Sequence, residues 1–274
     1  MVVEDLRAYF RIEACLALAQ TMKASPAQAE AEANLLRTLE RMVLPILEDV
    51  IGKIVGSSVL PATPGATTSV FVDAVPALAQ EIELRLADAS VLEVRNLTGN
   101  NSFSIEDFSP RVRDALRNKA FEASQRTMEN LIGDINTTLA YSYQQGLGTA
   151  ATADSLRDIF TKLKDYELAR IARTETNSTQ NAIAHETIVD LGIGYEQWIA
   201  TDDDRTRESH VELDGQIVRT GDTFSNGLLY PGDTDGELEE FINCRCRVRP
   251  YILPRGYVAP ASSYFYEDDL IPIG

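Results

Sequence analysis

The chain has 274 residues, 44% hydrophobic and 24% charged, ordinary proportions for a folded soluble protein of one large domain or two modest ones. No apolar run approaches the roughly 20 residues of a membrane helix, and the opening Met1-Val2-Val3-Glu4-Asp5 lacks the basic start and apolar stretch of a secretory signal, so synthesis and action inside a cell are expected. The net charge of −17 argues against a broad DNA-binding surface, because phosphate affinity comes from counterions displaced by Lys and Arg; any nucleic-acid contact is expected to be local.

The first predicted element is a helix. Over residues 29–55 apolar side chains fall at Leu36, Leu39, Val43, Ile46, Val50 and Ile54, mostly three or four apart. Pro45 inside that pattern is expected to kink or divide it. Residues 60–69, with Pro61, Pro64 and Gly65, read as an exposed connection. A second helix over 70–95 ends in the turn-rich stretch 97–102. Ser109-Pro110 supplies a side-chain cap followed by proline at the first helical position, and the helix it opens runs to 145, stopping at Gly146-Leu147-Gly148. Asp154 is expected to cap a short helix over 155–162. A longer helix follows over 166–191 and ends at Gly192, a left-handed C-cap.

After Gly192 the texture changes. Trp198, the Asp214-Gly215 turn, residues 216–218 and residues 242–248 read as short strands joined by long polar loops. The tail beyond Pro250, with Pro254, Pro260 and Pro272, reads as an extended arm. The expected fold class is α+β, a long-helix N-terminal region followed by a compact domain of one helix and a small antiparallel sheet. Expected domains are a helical region over 1–150, a compact domain over 151–252 and a C-terminal arm over 253–274. Trp198 is expected to be buried against the 166–191 helix.

Two of the three cysteines fall in Ile242-Asn243-Cys244-Arg245-Cys246-Arg247-Val248-Arg249-Pro250. Read as a strand, this segment turns Ile242, Cys244, Cys246 and Val248 to a buried face, and Asn243, Arg245, Arg247 and Arg249 to the other. A Cys244–Cys246 disulfide is disfavoured by the span between alternate strand positions, and Cys15 lies far away in sequence. Reduced thiols are expected. With His210 they admit two outcomes: a zinc site completed by Asp214 or water, or a metal-free core fastening, which the residue pattern favours. Arg245 and Arg247 are expected to meet carboxylates such as Glu175 or Glu208.

Residues 170–181 are crowded with poor helix formers. Arg170, Arg173 or Thr174, Asn177 and Asn181 share one helical face. A polar network of Arg170, Arg173, Glu175, Asn177, Arg207, Asp214 and Arg245 is expected to lock that helix to the strand region. Asp202-Asp203-Asp204 reads as a solvated loop with a capping aspartate. GxGxxG, P-loop, GxSxG and HExxH patterns are all absent from the sequence, and no catalytic residue is expected.

Four segments in order resemble the head-morphogenesis domain of the phage Mu F-like minor head proteins. They are Ala169-Arg170-Ile171-Ala172-Arg173-Thr174-Glu175-Thr176-Asn177; Trp198 with Ala200-Thr201; Arg205-Thr206-Arg207-Glu208-Ser209-His210-Val211-Glu212-Leu213-Asp214-Gly215; and Asn243-Cys244-Arg245-Cys246. The resemblance covers about residues 150–252. It implies a minor capsid protein of a tailed virus rather than an enzyme, present in few copies inside the virion head near the portal and in the host cytoplasm during assembly. Its implied role is head assembly and genome packaging or delivery. Its implied partners are the portal protein and the major capsid protein or scaffold, with local contact to packaged DNA and no membrane. The helical region 1–150 would dock to portal or capsid. His210, Cys244 and Cys246 correspond to family positions associated with metal binding. The alternative is a metal-dependent hydrolase or an ADP-ribosyltransferase-type enzyme, since related head domains are fused to toxins.

Overall fold

Helices occupy the chain as far as Asp190 and short strands follow, in a computed structural model that describes residues 26–57, 65–201 and 203–273. The α+β expectation holds. The helices are α1 (Pro26–Gly56), α2 (Gly65–Thr98), α3 (Pro110–Gln144), α4 (Thr149–Lys162) and α5 (Leu168–Asp190). Cys15 lies outside the described residues.

Periodicity accounts for most of them. Along α1 the buried stripe is Leu35, Leu39, Val43, Leu47, Val50 and Ile54, which takes Leu35 and Leu47 where the expected stripe had Leu36 and Ile46. Pro45 is exposed and the helix runs through it. Ahead of α3 the Ser109 Oγ accepts the Val112 N–H at 3.3 Å, the cap expected from Ser-Pro. Gly192 takes φ 66° after α5, and the Ile193 N–H reaches back to the Ile188 carbonyl at 3.2 Å.

Three helical expectations change. α2 already begins at Gly65, so half of the expected connection is helical; residues 58–64 lie outside the described residues. Gly148 stands at the N-cap of α4, and Asp154 lies inside that helix, paired with Arg157 three residues on. α4 then passes into α5 through one π-helical turn, Leu163–Glu167, without the break expected near residue 165.

The described chain divides into two compact units, and the division does not fall at residue 150. One unit, Glu32–Arg85 with Arg117–Arg173, has helices as its only regular elements among the described residues. Its interior is built from apolar stripes that include Phe71, Leu78, Ile82, Met128, Leu131 and Ile135. Ion pairs Arg41–Glu81 (2.9 Å) and Arg117–Glu83 (3.7 Å) join its helices at the surface, where such pairs contribute about 0–1 kcal/mol each.

The other unit comprises residues 26–31, Leu86–Leu116 and the chain from Thr174 onward. It holds strands β1 (Tyr195–Ile199), β2 (Ile217–Arg219), β3 (Arg247–Tyr251), β4 (Tyr257–Val258), β5 (Tyr264–Phe265) and β6 (Ile271–Pro272), with short helices α6 (Glu208–Val211) and α7 (Leu238–Phe241). The main sheet runs β3-β1-β2-β5, every pair antiparallel. The register opposes Trp198 to Val248 and Gln197 to Arg249. Trp198, Val218 and Val248 therefore face a core shared with Ala182 and Ala184 of α5, as expected for Trp198.

Ile217, Tyr251 and Phe265 line the opposite face, backed by Leu253, Ala259 and Leu270. Residues beyond 252 are thus not a free extended arm. Phe265 is buried, β5 pairs with β2, and β4 pairs with β6.

One close approach fixes how the 230–232 segment meets α5. Gly232 has φ 81°, and a Cβ there would stand 3.3 Å from the Ser178 Cα, which is backbone and cannot yield. Gly232→Ala is expected to destabilise the protein by about 1–3 kcal/mol. Urea unfolding followed by fluorescence of the single tryptophan reads this; an unchanged midpoint would contradict the contact.

Candidate metal centre

The site is built on a helix that its own residues do not favour. Thr174 through Asn181 are eight consecutive buried polar residues, and Thr, Ser and Asn are poor helix formers because their side chains compete for backbone partners. Tertiary hydrogen bonds of Asn181 offset part of the loss. The Asn181 Nδ2 donates to the carbonyls of Pro231 (2.8 Å) and Cys246 (2.9 Å), and its Oδ1 accepts the Val248 N–H (3.0 Å). Both amide hydrogens are used. Four residues on, His185 Nδ1 lies 2.9 Å from Glu196 of β1. Burial pushes the Glu196 carboxyl up, and the His185 hydrogen bond partly offsets it.

The cysteine segment is held at its other end by Thr174, whose Oγ1 accepts the Asn243 N–H at 3.0 Å. Asn243 takes φ 57°, and the Cys244 N–H bonds the Phe241 carbonyl at 3.1 Å. Residues 242–246 are therefore a turn, and the strand starts only at Arg247. From Cys244 onward burial alternates as expected, with Cys244, Cys246 and Val248 inside and Arg245, Arg247 and Arg249 half-buried, whereas Ile242, expected inside, is half-buried like Asn243. The cause is the turn and its anchors rather than strand pleating.

His210 enters from α6 and is 1% exposed. Its ring meets Trp198 edge-on, centroids 5.2 Å apart at 80°, and Trp198 meets Phe224 in the same way. Nδ1 stands 3.7 Å from the Cys244 Sγ and 3.5 Å from the Cys246 Sγ. Nε2 stands 3.0 Å from the Glu240 carboxylate, which also accepts from the Asn226 Nδ2 at 3.1 Å. All three donor atoms lie within 4.8 Å of one another.

The two thiols share a proton unequally. A hydrogen bond from Cys244 draws Cys246 down to about 5 against the effect of burial, with His210 helping. Cys244 is pushed up by its bond to Cys246 and by burial. Burial disfavours the charged form of His210, yet the Cys246 sulfur and Glu240 together raise its pKa. These surroundings favour the Cys246 thiolate, the form that binds metals.

A tetrahedral zinc ion with Zn–S of about 2.3 Å and Zn–N of about 2.0–2.1 Å separates sulfur from nitrogen by roughly 3.6 Å. The observed 3.5 and 3.7 Å match. Beside the donors lies a cavity of about 10 Å³, also lined by Arg205, Thr206, Arg207 and Arg245, about the room one water needs. The donor set fits zinc. Asp214 is not part of it: its Oδ1 accepts the Ala200 N–H at 2.8 Å, and the Asp214-Gly215 turn packs beside β1 rather than against the last strand.

The expected polar network is rearranged. Arg207 donates to the Ile242 carbonyl. Arg245 forks onto Asp203, not Glu175 or Glu208, and holds that carboxyl below the usual carboxylate range. Asp203 also accepts the Arg205 N–H at 3.0 Å, a turn bond within the loop, while Arg207 stands at the N-cap of α6 without a side-chain cap bond; Asp202 lies outside the described residues. Arg247 donates to Gln28, and Arg249 to Gln197 at 2.7 Å. Arg170 pairs with Glu167 and Arg173 with Glu32, all within the helical unit. Glu175 is buried on α5, whereas Asn177 is buried against Gly232 with neither side-chain polar atom hydrogen-bonded. Glu240 and Asn226 carried no sequence signal, while Asn181 was legible from its place on the Asn177 face.

Residues 133–249 match the family described as Phage Mu protein F like protein. An uncharacterized protein of Haemophilus influenzae is 29% identical over 154 residues, which is 56% of this chain and 28% of that protein. A protein of Enterococcus faecalis named NAD(+)--arginine ADP-ribosyltransferase EFV is 40% identical over 83 residues, 28% of this chain and 17% of its own length. The chain therefore spans less than a third of the length of these curated relatives. No solved structure matches it.

Asn181→Ala leaves three buried backbone groups unpaired, at about 1–3 kcal/mol each, so a loss of about 3 kcal/mol or more is expected in urea unfolding. Asn181→Asp loses both donors and is expected to fare no better. A loss under about 1 kcal/mol would contradict the role given to this amide.

Proposed function

We propose that this chain is a minor head protein of a tailed phage, acting in head morphogenesis next to the portal; the match of residues 133–249 to the Phage Mu protein F like family supports this reading. One observation carries the reading: the matched stretch contains α5, β1 and α6, runs into β3 and includes His210, Cys244 and Cys246. In this reading the helical unit docks to portal or inner capsid, and the acidic chain meets packaged DNA only locally. Among the described residues no helix is long and apolar enough to cross a membrane.

The enzymatic alternative gains no support from the geometry. His210 and both cysteines are buried, and the cavity of about 10 Å³ beside them is too small for a nucleotide or peptide substrate. The transferase name belongs to a protein of which the likeness covers 17%.

We further propose that His210, Cys244 and Cys246 hold zinc. The sequence leaves zinc and a metal-free fastening both open and favours the second, whereas donor spacings of 3.5 and 3.7 Å support the first. Zinc there would cross-link α6 to the 242–246 turn, adding a structural staple rather than a reaction centre.

When the tagged chain is expressed from its phage, purified heads should carry it at fewer copies than the portal protein. Recovery only as free protein outside heads would overturn the assembly reading. Elemental analysis after chelator-free purification is expected to find about one zinc per chain, lost in a Cys244→Ala, Cys246→Val double variant. Wild-type protein that takes up no zinc even when it is supplied would remove the metal.

A further inference from the structure

We infer that Glu240, braced by Asn226, is a positioning residue that fixes the tautomer and ring orientation of His210 for metal binding; this rests on the zinc reading above. The Glu240 Oε2 lies 3.0 Å from the His210 Nε2, while Cys244 and Cys246 face the ring's other nitrogen. A carboxylate oxygen 3.0 Å from Nε2 accepts its hydrogen and so favours the tautomer protonated there. The lone pair is thereby left on Nδ1, the atom 3.5 and 3.7 Å from the sulfurs. A carboxylate behind a ligating histidine also raises its basicity.

The local fold serves this contact. Glu240 lies on α7, four residues before Cys244, so the element that leads into the sulfurs also carries the carboxylate. Asn226 lies in the turn closed by the Phe224 N–H and Leu228 carbonyl at 2.9 Å, and its Nδ2 donates to the same Oε2 that faces His210. Trp198, edge-on at 5.2 Å, limits rotation of the ring. Glu240 also borders a surface cavity of about 480 Å³ with Arg207, Ser209 and Leu238, so its second oxygen has access to water and the carboxylate is not stranded in the core.

The test is zinc affinity of the full chain, by competition with a chromophoric chelator, with the absorption spectrum of the cobalt-substituted protein as a second readout. Glu240→Ala is expected to weaken zinc binding by about 10–100-fold and to shift the cobalt ligand-field bands. Glu240→Gln keeps an acceptor oxygen and is expected to recover part of that loss, and Asn226→Ala should lose less than Glu240→Ala. Should Glu240→Ala fail to fold, the Gln and Asn226 variants carry the comparison. Variants that are less stable without metal yet bind zinc with wild-type affinity and an unchanged cobalt spectrum would overturn the inference and leave the zinc reading standing. A wild-type chain that binds no zinc would overturn both.

Discussion

Asn181 engages its side-chain amide with the backbone of two other segments, and the arrangement of the strand-bearing unit follows from those three bonds. Pro231, Cys246 and Val248 are each fixed against α5 by the same side chain. A buried amide in a low-dielectric interior binds strongly when satisfied and costs heavily when not. The polar run over Thr174–Asn181 makes sense in those terms. Its residues are poor helix formers with a buried face, and two of them, Thr174 and Asn181, find backbone partners outside the helix that fix which segments lie against it, whereas the side-chain polar atoms of Thr176, Asn177, Ser178 and Thr179 are buried without a hydrogen bond. Thr174 does the same for Asn243 one end along, so the cysteine segment is gripped on both sides of its turn.

That grip separates the two chemistries of the Cys-Arg-Cys-Arg segment. The sulfurs turn inward to His210, and the guanidinium groups turn to Asp203, Gln28 and Gln197. These three arginines, the densest cationic stretch of an acidic chain, are thus engaged within the protein. The Arg245–Asp203 fork also holds the 201–206 loop near the sulfurs, and Thr201 Oγ1 adds a bond to the Arg245 carbonyl at 2.8 Å.

Much of the fold was legible because periodicity and caps are local signals. Ser109-Pro110 and Gly192 marked helix ends, the Val43–Val50–Ile54 stripe marked α1, and Trp198 read correctly as core. The π-turn over Leu163–Glu167 was not legible, since the sequence there carries no helix breaker. Nor was β5, a two-residue strand too short for alternation to register. At the site, residue types named His210 and the cysteines, whereas the partners of Arg245 and His210 lie 42 and 30 residues away and are chosen by tertiary closure. No spacing rule reaches that far; Asp203 and Glu240 are two among many acidic residues in the sequence.

Convergence of His210, Cys244 and Cys246 on one ion is read most directly by zinc-edge X-ray absorption of the purified chain. The proposed centre predicts two sulfur scatterers at about 2.3 Å and one imidazole nitrogen at about 2.0–2.1 Å. A first shell of nitrogen and oxygen alone, or a protein with no zinc to absorb, would contradict it.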